Sequence, residues 1–160
     1  MVKARATIED GLVKITECIE RDLCKTLTAY GYIRDGYLEP LEAAYQASKG
    51  NLSINGSEKW SAVFHILDGC SIKISVFIVY IDLRNRGRRV YRGLRHGTLY
   101  VKMGKGLEIL VLEEGTPVTL RRLMDWSRQV VADGFEPIIA VVDRNGGVTY
   151  YEARIVEDLL

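Results

Sequence analysis

The 160-residue sequence lacks any apolar run of the roughly 18–20 residues that a membrane helix needs. Its longest, Ile74 to Ile81, is far too short, so no membrane association is expected. No extended apolar stretch near the start resembles the core of a secretory leader. Cysteine is scarce: Cys18, Cys24 and Cys70 are an odd number without metal-like spacing. That excludes a disulfide-dense mini-protein and points to a reducing, cytoplasmic interior. Charge of one sign is lacking too, with 22 basic against 21 acidic residues and a net charge of +1. A chain so balanced does not coat nucleic acid nonspecifically. There is no internal repeat and no low-complexity segment. With 48% hydrophobic and 27% charged residues, a disordered or collagen-like chain is excluded as well. What remains is a soluble globular protein of one ordinary domain or two small ones.

The balanced total conceals an asymmetry. Arg84 to Lys105 holds eight basic residues and no acidic one, whereas Leu107 to Leu160 holds ten acids against five bases. Eight positive charges within 22 residues suit a phosphate-facing surface. They suit equally a solvated rim paired with acids from elsewhere in the fold.

Patterning supplies the elements. Two short strands flank Asp10-Gly11 between Ala4 and Ile15, a strong hairpin signal. A helix from Glu17 to Ala29 carries Ile19, Leu23 and Leu27 on one face, and a turn-rich connector follows to Tyr37. Pro40 suits the first turn of a second helix, with Leu41, Ala44 and Tyr45 as its core candidates. Leu52-Ser53-Ile54 reads as a strand and Asn55-Gly56 as a turn. Ser57 is placed to cap a helix whose Trp60, Val63, Phe64 and Leu67 share a face. Ile74 to Leu83 is ambiguous: β-branched content favours a strand, and continuity with Arg84-Asn85-Arg86 favours a helix. Strands are expected over 88–92, 98–102 and 107–112. Thr119 caps an amphipathic helix with Leu120, Leu123, Met124, Val130 and Val131 facing inward. Strands over 138–142 and 148–156 close the chain around Asp143-Arg144-Asn145-Gly146-Gly147.

Three segments together resemble the archaeal tRNA-splicing endonuclease family: GYLEPLEAAYQASKGNLSING, VYIDLRNRGRRVYRGLRHG and IIAVVDRNGGVTYYEARIV. Each alone is weak, but their order and spacing are specific. The resemblance implies an α/β (α+β) chain, with a small N-terminal α/β domain over 1–75. A restriction-endonuclease-like domain with a central mixed sheet would follow over 76–160. It also implies a helix leading into Arg86-Gly87. Family members cut pre-tRNA at a bulge-helix-bulge with neither metal nor cofactor. A ribose 2′-hydroxyl attacks the adjacent phosphorus, leaving a cyclic phosphate and a 5′-hydroxyl.

That chemistry needs a proton acceptor, a proton donor and a cation on the developing phosphorane charge. The family uses a Tyr, a His and a Lys. The Tyr position falls here at Met103, and a thioether has no acidic proton. The His loop shrinks to Met103-Gly104-Lys105-Gly106. The Lys position falls among Gly134, Phe135 and Glu136. No catalytic residue is therefore assigned, and the chain resembles the non-catalytic, structural subunit of the heterotetrameric type. Its partners would be a catalytic paralogue and pre-tRNA. Arg92, Arg95, Lys102, Lys105 and Arg128 are the candidate RNA contacts. Asp143, Val148, Tyr150, Tyr151 and Ile155 are the candidate subunit contacts, since a last strand commonly lies at a sheet edge. The family's loop at Asp143 is usually acidic and docks into a positive groove on a neighbouring dimer; here Arg144 joins it. Two alternatives stand beside this: an RNA-binding or assembly module, and an atypical nuclease using His96 and Lys102.

Overall fold

The structure, a computed structural model, describes residues 1–156. It divides into two compact units, with the division between Phe77 and Ile78. The first opens with the expected hairpin, β1 (Ala4–Glu9) and β2 (Leu12–Cys18). Asp10 and Gly11 both take positive φ, 50° and 74°, which matches a tight turn to the twist of the strands. After α1 (Arg21–Ala29) a small antiparallel pair, β3 (Ile33–Arg34) and β4 (Tyr37–Leu38), adds to the free side of β2. Helix α2 (Pro40–Ser48) then carries the chain to β5 (Leu52–Ile54), which pairs parallel with β1. The sheet order is β3-β4-β2-β1-β5.

Helix α2 is buried from Pro40 to Ala47, against the sheet and α3 (Lys59–Gly69). Burial on all sides leaves its polar side chains to find partners within the unit. Asn51 Nδ2 donates to Gln46 Oε1 at 2.8 Å, and Gln46 Nε2 donates to Glu42 Oε1 at 2.9 Å.

Several expectations for this unit change. The first helix starts at Arg21, not Glu17, because the ladder with β1 holds residues through Cys18 and Arg5 pairs with Glu17 at 2.6 Å. The connector before Tyr37 is itself a hairpin. Cys18 and Cys24 form a disulfide, contrary to the reading of thiols in a reducing interior. The end of β2 returns to the first turns of α1, with Cα atoms 6.5 Å apart. Ser57 does not cap α3; its backbone closes a turn with Ile54, and Glu58 takes the cap position. The buried stripe of α3 is Ala62, Val63, Ile66 and Leu67, which leaves Trp60 and Phe64 each 54% exposed.

The ambiguous segment is helix α4 (Ile74–Asn85), with Val79, Tyr80 and Leu83 buried beyond the division. In the second unit β6 (Val90–Arg92), β7 (Thr98–Val101) and β8 (Leu107–Glu113) form an antiparallel meander. A crossover through α5 (Leu120–Ala132) brings β9 (Glu136–Val142) parallel to β8. β10 (Val148–Glu152) returns antiparallel to β9, so the mixed sheet has the order β10-β9-β8-β7-β6 with β10 at one edge. Thr119 caps α5 as expected, its hydroxyl accepting from Arg122 N at 3.1 Å. The inward stripe differs. Trp126 and Val130 join Leu110 in the core, with Leu123 packed against them, while Leu120 and Val131 are exposed. The last strand stops at Glu152 rather than Val156. Beyond it Ala153 N donates to Pro137 O, and Ala153 O accepts from Ser127 of α5. Among the described residues no helix is long and apolar enough to cross a membrane.

Candidate functional site

The three positions where the resemblance puts catalytic groups meet at one end of the second sheet. β7 ends at Val101 and β8 begins at Leu107, beside Glu136 at the start of β9. The intervening linker is tight: Gly106 N donates to Met103 O, and Gly106 O accepts from Glu136 N, both at 2.9 Å. This corner therefore presents a thioether, a linker too short for a His-bearing loop, and a carboxylate where a cation would be needed. Lys102 and Lys105 are exposed here, with no ion pair among the described residues.

Behind the linker the corner is filled. The rings of Tyr100 and Phe135 lie 5.3 Å apart, and Tyr91 follows Tyr100 at 6.4 Å. Gly106 sits against the first two with φ +100°, and a Cβ there would fall 2.7 Å from Tyr100 and 2.9 Å from Phe135. Sequence reasoning missed this packing. Its signal was an aromatic on each of two paired strands beside a glycine, and only the register Tyr91↔Tyr100 makes it legible.

His96 lies elsewhere. It precedes β7, whereas Lys102 follows it, so about 20 Å of extended chain separates the two. They do not converge. A different arrangement starts beside the corner, where Glu108 stands directly across from Tyr100 in the β7–β8 ladder. Glu108 is buried on β8, accepting from Arg95 Nη1 and from the indole N–H of Trp126, both at 2.8 Å. Arg95 also donates to Asp133 at 2.5 Å and to Gln129 at 3.2 Å. The hydrogen bond from Asp133 raises the guanidinium pKa most; burial opposes it, and Glu108 adds to it. Arg95, a candidate RNA contact by sequence, thus has its donors turned onto its own unit. This is the pairing with acids from elsewhere in the fold that the sequence left open beside phosphate contact.

The other candidates are spread out. Arg92 on β6 and Arg128 on α5 are exposed and each has a partner within the chain. Arg128 and Ile155 line a cavity of about 470 Å³ with Val131, Pro137 and Ala153. Asp143 organises its own turn, its carboxylate accepting from the backbone N–H groups of Asn145 and Gly147 at 2.8 Å. On the edge strand Val148 is half-buried and Tyr151 points outward, 54% exposed. Tyr150 turns inward, and its hydroxyl donates to Asp82 of α4 at 2.6 Å. Burial, then the Asp82 hydrogen bond and charge, pushes its pKa above the usual tyrosine value.

Two α/β units, the second with a mixed sheet and a crossover helix, define the class, and comparisons with known proteins specify it. Residues 2–70 match the tRNA-intron endonuclease SEN2-like, N-terminal domain, and residues 74–150 match the tRNA intron endonuclease, catalytic C-terminal domain. The chain belongs to the tRNA-intron endonuclease family. It is 30% identical over 129 residues to a tRNA-splicing endonuclease of Pyrococcus furiosus, covering 74% of this chain and 75% of the relative. A tRNA-splicing endonuclease of Thermococcus kodakarensis is 28% identical over 142 residues, covering 80% and 83% of the two chains. One of Methanococcus vannielii is 27% identical over 152 residues, covering 89% and 84%.

Proposed function

We propose that this chain is the structural, non-catalytic subunit of a heteromeric tRNA-splicing endonuclease that excises introns from pre-tRNA in the cytoplasm. One observation carries the reading: the corner that would hold the reactive groups contains a linker of only five residues, Lys102 to Gly106, with Met103 in it and Glu136 beside it, backed by Tyr100 and Phe135. A carboxylate there repels a phosphorane instead of stabilising it. The exposed Lys102 and Lys105 remain suited to phosphate contact without proton transfer. The exposed edge of β10, with Val148, Tyr151 and Ile155 near it, suits pairing with a catalytic relative. Acceleration by this chain is then indirect, through placing substrate in the partner's site. An active nuclease built on His96 and Lys102 is disfavoured by their positions at opposite ends of β7.

The test is a mixing assay on a bulge-helix-bulge RNA. The purified chain leaves it intact, and cleavage appears when a relative carrying Tyr, His and Lys is added and co-purifies at equal stoichiometry. Cleavage by the chain alone, abolished by His96→Ala or Lys102→Ala, overturns the proposal.

A further inference from the structure

A cationic groove of about 430 Å³ lies at the start of α5. It is lined by His96 in the turn before β7 and by Arg121 and Arg122 in the first turn of α5, together with Arg95, Gln129 and Trp126. We propose that this groove is a second RNA-backbone site, taking pre-tRNA phosphates at His96 and the Arg121–Arg122 pair. The inference rests on the reading of the chain as a pre-tRNA-holding subunit, and it names residues outside the basic block.

Three observations carry it. First, Arg121 and Arg122 have no ion pair among the described residues; even Asp125, one turn away on the groove wall, is unpaired with either. Their ten N–H donors are open to a ligand. Second, their placement works against the helix. The first turn of α5 has no acidic residue, and cations there oppose the positive end of the helix dipole. Arginine at these positions costs helix stability locally, a departure expected where a position serves binding. The same dipole adds to the attraction for an anion. Third, the wall is rigid. Glu108 fixes both Arg95 and Trp126, and Asp133 and Gln129 hold the remaining Arg95 donors. Arg95 therefore serves as a positioning residue that shapes the groove while leaving the phosphates to its neighbours. A polyanion fits better than a single metabolite anion, because the groove is open and offers the donors of Arg121 and Arg122 together with the His96 ring.

The experiment titrates the whole chain with a bulge-helix-bulge RNA over a range of salt. Arg121→Ala with Arg122→Ala is expected to weaken binding about tenfold at 0.1 M salt and to flatten the salt dependence by about 1–2 in log–log slope. Arg21→Ala with Lys25→Ala, two exposed cations of α1 in the other unit, removes the same charge elsewhere and should leave binding within about twofold. Selective loss in the groove variant supports the site. Unchanged binding overturns it, as does an equal loss in both variants, which would mean a diffuse field. No RNA affinity in the wild-type chain overturns it too. Unchanged RNA binding with lost association to a catalytic relative would assign the groove to an acidic protein surface and likewise overturn it. Failure of the subunit reading shows separately, as absence of that association in the wild-type chain.

Discussion

The β7–β8 corner and the groove at the start of α5 share one sheet and one helix, yet they present different chemistry. At the β7–β8 corner the rings of Tyr100 and Phe135 fill the space behind the linker. In the groove wall the buried carboxylate of Glu108 anchors Arg95 and Trp126, and two arginines at the start of α5 have no ion pair among the described residues. Proton transfer demands specific groups within hydrogen-bond reach. Holding a polyanion demands only cations on a firm surface. On the proposed reading, a chain relieved of the first task can pack that corner with rings and keep the second.

The largest expected effect tests the anchored groove wall. Glu108→Ala removes the acceptor of both the Arg95 guanidinium and the Trp126 N–H inside the unit. Leaving the buried Trp126 N–H without an acceptor, while Arg95 keeps Asp133, should cost about 3 kcal/mol, read as a lowered urea midpoint. If Glu108→Ala is as stable as wild type, the anchor is not one. The filled corner is tested by Gly106→Ala. Its left-handed φ and the ring contacts predict a loss of about 2–3 kcal/mol with RNA affinity retained. A neutral outcome would mean that the corner is open rather than packed.

A smaller effect concerns the edge strand. Tyr150→Phe deletes the hydroxyl bonded to Asp82 and should cost about 1 kcal/mol near neutral pH. The folded-state pKa of Tyr150 is raised, so above the unfolded value of about 10 the unfolded chain releases this proton first. The contribution is complete below that pH and fades as pH rises beyond it. Stability of the wild type should thus fall more steeply above pH 10 than that of Tyr150→Phe. Parallel curves would show that Tyr150 is not held protonated.

Local signals proved sufficient where chemistry is local. Asp10-Gly11 marked a turn, Pro40 a helix start and Thr119 a cap, because each acts through its own backbone or that of near neighbours. The side-chain types at Met103 and Glu136 are read directly from the sequence, and a thioether has no proton to transfer. Reading failed where two faces competed for burial. On α3 the pattern offered Trp60 and Phe64, and the fold buries Ala62 and Ile66. On α5 it offered Leu120 and Val131, and the fold buries Trp126 beside Glu108. Periodicity gives a stripe's spacing but not its phase against a neighbour.

The amino-acid order alone thus pointed to the family and to most of the elements, through side-chain identity and short spacing, while 74–83 stayed open and the β3–β4 hairpin went unread. Which cations are free was settled in three dimensions. Arg95 and Arg121 read alike along the chain. Yet Arg95 meets Glu108 and Asp133, brought from 13 and 38 residues away by strand pairing and the return of α5, while no carboxylate is brought within pairing distance of Arg121 among the described residues. Pairing of charges depends on distance through space, and that distance exists only once the sheet and helix have packed.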